Sequence, residues 1–208
     1  MLNTRAPIEL SARILDFCRS ISSEQPIVMK VEHLSFAVPS ECYSNVEEQV
    51  LRSGGSAVYG WQIWDWPAAL TEAEFHAVWR DPNGSLHEIT PKVDGDQVIV
   101  FLPDPSRTYQ GRRIDSIRHA ASANQILADF IHLCEATFRR FGQTPSGTAL
   151  EGKEADLYKS SEMARTFMVD VINNGANRNA ACLCGSGERY KRCHEHKLRR
   201  LIDGLFSI

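Results

Sequence analysis

The sequence lacks any uninterrupted apolar run of about 18 residues, the length that a helix needs to cross a bilayer. It also lacks a signal-peptide pattern at its N-terminus. Neither sign of charge is in excess, because the formal net charge is −3 and the isoelectric point is near 6.2. This balance gives no global electrostatic reason to expect binding to nucleic acid or to an anionic membrane. We therefore expect a soluble, cytoplasmic protein with no membrane span.

Cysteine is also sparse, with six residues in a chain of 208. Three are scattered and three lie near the C-terminus: Cys18, Cys42 and Cys134, then Cys182, Cys184 and Cys193. This distribution is unlike the disulfide framework of a small secreted domain. In a reducing compartment a cluster of cysteines favours a metal site, whereas a lone cysteine favours burial or catalysis.

Residues 72–91 predict a β-hairpin, with two strand-like flanks around the turn Asp-Pro-Asn-Gly. Pro82 presets φ for the first central position, Asn83 tolerates the second, and Gly84 supplies the left-handed residue that follows. This turn chemistry is typical of a three-residue hairpin loop with a bulge.

The register of this hairpin brings together two residues that can act chemically. If Asp81 faces Ser85, then His76 and Glu88 share one face of the sheet and lie diagonally, within reach of each other. A slip of one residue would put His87 in the place of Glu88. The sequence therefore predicts a histidine that is oriented by a carboxylate on the next strand.

Cys42 is the candidate nucleophile for this pair. Pro39 and Ser40 are helix-start signals, and Cys42, Val46 and Val50 follow at four-residue spacing. Cys42 is thus predicted on the buried face at the N-terminus of a helix, where the helix dipole favours a thiolate. Backbone N–H groups at the same place could form an oxyanion hole.

The order Cys42, His76, Glu88 predicts a nucleophile, a general base and a residue that orients the base. The alternative is that Cys42 is a small core residue in the first turn of a helix, because buried thiols are common. Cys18, on the apolar side of another predicted helix, is expected to be such a core thiol.

The rest of the chain predicts an α+β fold. A strand is predicted at 27–31. Strands predicted at 57–66 and 97–102 combine with the hairpin in an antiparallel sheet of about four strands, packed with helices. Helices are predicted at 7–20, 120–141 and 154–172. Because residues 173–177 break the chain, we place the domain boundary after residue 176. Residues 1–176 then form an α+β domain with a helical C-terminal half, and residues 177–208 form a small module.

The C-terminal module contains four metal-ligand side chains within 13 residues: Cys182, Cys184, Cys193 and His194. Three sulfurs and one nitrogen make a closed tetrahedral site for Zn²⁺. Because about 30 residues cannot bury a core of their own, metal binding would supply most of their folding energy. His196 is a competing fourth ligand.

Residues 178–196 resemble the SEC-C motif, a small zinc-binding module at the C-terminus of the SecA translocase and on many other bacterial proteins. Its usual pattern is Cys-Pro-Cys-Gly-Ser-Gly, a few residues, Lys-Lys-Cys, then Cys or His. The four ligand positions fall on the cluster above, with His194 rather than His196 as the fourth. Leu183 and Arg192 depart from the pattern.

The SEC-C resemblance implies a module that binds a protein or a ribosome. The same end of the chain is locally basic, through Arg189, Lys191, Arg192, Lys197, Arg199 and Arg200. These charges favour an acidic protein partner. Binding of nucleic acid through these side chains is a weaker hypothesis, because the global charge opposes it.

Residues 35–102 resemble the papain-like cysteine fold, in which a cysteine at a helix N-terminus precedes strands that carry a histidine and then an acid. Cys42, His76 and Glu88 match this order. The segments His76–Trp79 and Glu88–Pro91 are similar to the His-Ala-Trp and Asp-Pro-Thr elements of transglutaminase-type members. The resemblance implies thiol-mediated acyl transfer: peptide or isopeptide hydrolysis, deamidation or transamidation.

Two departures from that pattern bear on the mechanism. Glu88 stands where the fold usually has Asp or Asn, and no glutamine shortly precedes Cys42 to complete an oxyanion hole. Gln62, Asn45 or the backbone alone would have to replace it. The alternative function is a non-catalytic, zinc-dependent adaptor that binds a protein or ribosomal partner through the C-terminal module.

Overall fold

The computed structural model describes residues 4–93, 95–145 and 148–207. The elements in chain order are α1 (Ala12–Ile21), β1 (Ile27–Lys30), α2 (Cys42–Ser53), β2 (Ser56–Trp66), β3 (Leu70–Arg80), β4 (Leu86–His87), β5 (Val98–Pro103), β6 (Ile117–Ala120), α3 (Gln125–Phe141), α4 (Gly152–Asn173), α5 (Tyr190–Cys193) and α6 (Glu195–Phe206). Among these residues, none of the helices has the length and apolar content that spanning a membrane requires.

The strands form one antiparallel-type sheet of six, larger than the sheet of about four that the sequence predicts. The order is β1-β5-β2-β3-β4, and β6 pairs with β3 outside this path. The missed strand β6 lies at the end of a polar segment and the start of a predicted helix. Arg118 on β6 is paired with Glu72 on β3 and with Asp115. Because Glu72 lies on another strand, this contact leaves no signal in the four residues of β6 themselves.

The predicted helices exist, but two begin five residues later than predicted, at residue 12 instead of 7 and at 125 instead of 120. Side-chain caps explain both starts. The Ser11 side chain accepts a hydrogen bond from the Ile14 N–H, and the Asn124 side chain accepts one from Ile126. Apolar spacing locates the buried face of a helix, whereas a cap determines where the helix begins.

The chain divides into two compact units, and the first comprises residues 4–66 and 71–119. Its main core lies between α1 and the central strands. The largest buried side chains there are Trp61, Phe17 and Phe75, followed by Ile14, Ile63 and Leu102. Cys18 lies in this core with no exposed surface, as predicted, and burial raises its pKa to about 11.

The second unit comprises residues 67–70 and the described part of 120–207. Helix α3 packs against α4 and α6. Tyr190 of α5 is buried and its hydroxyl lies 3.0 Å from the Met168 sulfur of α4. Arg178 pairs with the buried Glu195 at the start of α6. The boundary predicted after residue 176 lies inside this unit, and independent folding of residues 177–208 stays a prediction.

Candidate functional site

The hairpin of β3 and β4 has the register that its turn predicts. Trp79 pairs with His87 in antiparallel register, and the Asp81 N–H donates to the Ser85 carbonyl at 2.9 Å. Gly84 has a φ of 94°, in the left-handed region that favours glycine. The residues of the turn therefore determine which side chains face each other farther along the two strands.

His76 and Glu88 form a buried pair. The His76 Nε2 atom lies 2.5 Å from Glu88 Oε2, and the two residues are 5% and 0% exposed. The other carboxylate oxygen, Oε1, accepts the Thr90 N–H at 2.7 Å. The Glu88 carbonyl accepts the Glu32 N–H at 2.7 Å, which attaches this segment to the residues that follow β1. Both the backbone and the side chain of Glu88 are thus fixed.

The pair is charged near neutral pH. Burial alone lowers the pKa of His76, but the charges and hydrogen bonds of Glu88 and Cys42 outweigh it and raise this pKa to about 10. Burial likewise raises the pKa of Glu88, but His76 and then Lys92 reverse the effect and lower it below its usual range. Because Nε2 is bound to Glu88, Nδ1 is the ring nitrogen that remains for Cys42.

Cys42 is the first residue of α2 and is 7% exposed. It packs with Val46, Ala77 and Ile89. Its side chain makes a hydrogen bond with the His76 ring, and this contact helps to raise the pKa of His76. The structure therefore brings the predicted cysteine, histidine and glutamate together. The helix begins two residues after Ser40, which has a φ of 66° and lies outside it.

Asn45 is fully engaged in a structural role. Its side chain accepts the Val38 N–H at 2.9 Å, donates to the Val38 carbonyl at 2.8 Å, and donates to the Thr90 hydroxyl at 3.2 Å. It ties the segment before α2 to the segment after Glu88. This amide is therefore not free to stabilise an oxyanion, which leaves Gln62 and the backbone of the first turn of α2.

An aromatic pair that the sequence analysis missed lies next to Cys42. Tyr43 and Tyr109 stack with ring centroids 3.7 Å apart and an angle of 2° between the planes. The Tyr43 hydroxyl also donates to the Phe75 carbonyl at 3.0 Å. Tyr109 is the single aromatic residue of a polar segment, 104–116. The isolated aromatic residue in this polar segment could have indicated the contact, because it marks where the segment packs against Tyr43.

The second candidate site is the cysteine cluster near the C-terminus. The His194 Nδ1 atom lies 3.1 Å from the Cys182 sulfur and 3.2 Å from the Cys193 sulfur. The sulfurs of Cys184 and Cys193 are 3.5 Å apart, and all four ligand atoms lie within 4.8 Å of one another. Tetrahedral ligands on Zn²⁺ are separated by about 3.5–3.8 Å, given metal–sulfur and metal–nitrogen distances of about 2.3 and 2.0 Å. The donor set and its spacing fit a metal ion.

The chain is folded tightly to bring the ligands together. The Cys182 N–H donates to the Glu188 carbonyl at 2.7 Å, and Gly185 and Gly187 both have a φ of 76°. Hydrogen bonds from the side chain and the backbone of Ser186 lower the pKa of Cys184 to about 7, which favours the thiolate that a metal requires. His196 is exposed and is not part of the cluster.

The comparisons with known proteins bear on the metal site alone. The family model described as the SEC-C motif matches residues 178–195, which include all four ligand side chains. A search of curated proteins found no match, and a search of solved structures found none. The resemblance of residues 35–102 to the papain-like fold has no support in these comparisons and stays a prediction.

The two histidines of this segment give a matched test of the metal site. We expect His194→Ala to weaken metal affinity by more than about tenfold, because it removes one of four ligands. His196→Ala should leave the affinity unchanged. Competition with a chromogenic chelator measures both, and the assignment is wrong if His196→Ala has the larger effect.

The buried ion pair predicts a pH dependence of stability. Because the folded pKa of His76 lies above its unfolded value, the pair contributes stability that is complete below about pH 6.5 and lost as the pH rises toward about 10. We expect Glu88→Gln to remove this loss, as measured by denaturant unfolding from pH 6 to 10. Glu32→Gln is the control, because Glu32 pairs with His87 at an exposed position and should matter little. The pair is not ionised as described if Glu88→Gln keeps the wild-type pH dependence.

Proposed function

We propose that this chain is a zinc-binding, cysteine-dependent hydrolase or acyltransferase that acts on a protein or amide substrate. Cys42 is the nucleophile, His76 the acid and base, and Glu88 the residue that orients His76. The observation that carries the proposal is a cysteine at the first residue of a helix, beside an imidazole whose far nitrogen is held by a buried carboxylate. A cytoplasmic location, where thiols stay reduced, suits both sites.

The chemistry follows from these positions. His76 holds the proton of Cys42, and the thiolate attacks the carbonyl carbon of the substrate amide. The C–N bond breaks as His76 gives its proton to the leaving nitrogen, which leaves a thioester on Cys42. Water then attacks the thioester, His76 takes a proton from the water, and the acid product leaves. An amine in place of water gives transamidation, and backbone N–H groups in the first turn of α2 suit the developing oxyanion.

Stability alone gives little reason for the buried ion pair. Removing two charges from water costs several kcal/mol per ion, and a well-packed apolar pair is often as stable or more so. A core thiol needs no ion pair beside it, and Cys18 packs in a cluster of apolar side chains. A strongly shifted histidine that acts on a cysteine at a helix terminus is instead typical of an active site.

Alkylation of Cys42 tests the proposal. A thiolate–imidazolium pair should react with iodoacetamide at nearly the same rate at pH 6 and pH 8, whereas an ordinary thiol slows about tenfold per pH unit below its pKa. We expect His76→Gln to slow the reaction at pH 6 far more than at pH 9. Peptide mapping by mass spectrometry measures the rate at Cys42 separately from the other cysteines. The catalytic assignment fails if the wild-type rate falls with pH as in an ordinary thiol.

A second candidate function is binding of a protein partner through the C-terminal module. A cavity of about 270 Å³ lies beside the metal ligand His194, between α4 and the module. Its lining is mainly apolar and includes Met163, Phe167, Leu198 and Leu201, with Lys197 as its charged group. This combination suits an apolar side chain flanked by acidic residues.

A peptide pair tests this adaptor function. We expect a fluorescent peptide with phenylalanine flanked by glutamates to bind the zinc-loaded protein, and one flanked by lysines to bind at least about tenfold more weakly. Met163→Glu should weaken binding of the glutamate-flanked peptide, because Met163 lines the cavity and is 64% exposed. Fluorescence anisotropy measures both. Equal binding of the two peptides, or no effect of Met163→Glu, contradicts the assignment.

A further inference from the structure

A buried lysine is the least expected feature of the thiol site. The Lys92 side chain is 7% exposed, although lysine is almost never buried without a partner. Its Nζ atom donates to Gln62 Oε1 at 2.9 Å and lies 3.5 Å from Glu88 Oε2. The lysine therefore meets the same carboxylate oxygen that His76 contacts.

Gln62 holds this lysine through its side-chain oxygen, and the other side-chain atom that could form a hydrogen bond, Nε2, has no partner among the described residues. It is 2% exposed on β2, and its Oε1 atom faces the ammonium group. This orientation leaves Nε2 buried without a hydrogen-bond partner among the described residues. A buried donor without a partner is costly. Turning the amide over would point the Nε2 donor at the Lys92 ammonium group. The orientation that binds the lysine is therefore the one that leaves Nε2 without a partner.

We propose that Lys92, held by Gln62, is a positioning residue of the thiol site that keeps the Glu88 carboxylate charged and aimed at His76. The proposal rests on the proposed function for its catalytic meaning, but its electrostatic content is independent of it. Glu88 Oε1 is bound by the Thr90 N–H, and Oε2 is shared by the two cations. Each oxygen thus has a fixed donor, and the carboxylate cannot rotate away from the imidazole.

The charged groups that face Glu88 come from two places. His76 reaches it from β3, and Lys92 reaches it from the segment after β4. Among the described residues, β1 and the residues that follow it meet Glu88 through the backbone, because the Glu32 side chain is bound to His87 instead. Within the part of the chain that the structure describes, removing Lys92 therefore leaves His76 as the one cation within 4 Å of the carboxylate.

Lys92→Met is the test variant, and the carbon-13 signal of the Glu88 carboxyl, assigned by its loss in Glu88→Gln, is the readout. We expect the midpoint of the Glu88 titration to rise by about one pH unit, because one of two stabilising cations is removed. Lys30→Met is the matched control, since Lys30 is exposed on β1, and it should not move this midpoint. An unchanged midpoint in Lys92→Met overturns the proposal.

Gln62→Met gives a second measurement that does not depend on how Lys92→Met folds. Loss of the amide acceptor should release Lys92 and raise the Glu88 midpoint in the same direction by a smaller amount, and an unchanged midpoint overturns the role of Gln62. The alkylation test on wild-type Cys42 separates the two levels of inference. If Cys42 reacts as an ordinary thiol and Lys92→Met raises the Glu88 midpoint, the proposed catalytic function is wrong and the electrostatic role of Lys92 stands. If Cys42 is reactive and the midpoint is unchanged, the catalytic function stands and the role of Lys92 is wrong.

Discussion

The first unit depends on the condition that two charged side chains, His76 and Glu88, remain paired in its interior. At 5% and 0% exposure, neither can be hydrated, and their attraction offsets the lost hydration only if the other lone pairs and protons are also bound. The hairpin sets the register, Thr90 donates to one carboxylate oxygen, and Lys92 approaches the other. The hairpin, Thr90 and Lys92 therefore all help to keep the buried Glu88 carboxylate paired with His76.

Cys18 and Cys42 show how environment separates two residues of the same type. Both are buried, and both lie in helices. Cys18 is surrounded by apolar side chains in the middle of α1, and burial raises its pKa to about 11, so it stays a neutral thiol. Cys42 heads its helix beside a histidine that carries a positive charge. Burial alone thus does not distinguish a core thiol from a nucleophile, and the histidine beside Cys42 is the ground on which we propose that residue as the nucleophile.

What could be predicted from the sequence was local. Turn chemistry at residues 81–85 determined the register that pairs His76 with Glu88, and the spacing of the C-terminal ligands predicted the metal cluster. What could not be predicted comes from segments far apart in the chain. Gln62 and Lys92 are 30 residues apart, and each alone looks like an ordinary polar residue. Strand β6 likewise forms by pairing with β3, and its own four residues have no periodicity that predicts a strand.

The two sites that contain cysteine suit different chemistry, because one holds a full set of four metal ligands and the other holds a single cysteine beside a histidine. A metal held by Cys182, Cys184, Cys193 and His194 has four protein ligands, and a closed tetrahedral set leaves no position for water or substrate. Such a metal stabilises a fold and does not activate a nucleophile. The SEC-C match at residues 178–195 includes all four of these ligands, and a closed set of four fits a structural metal better than a catalytic one. If this chain catalyses a reaction with cysteine, the thiol that performs it is the one outside the metal cluster and beside a charged histidine, Cys42.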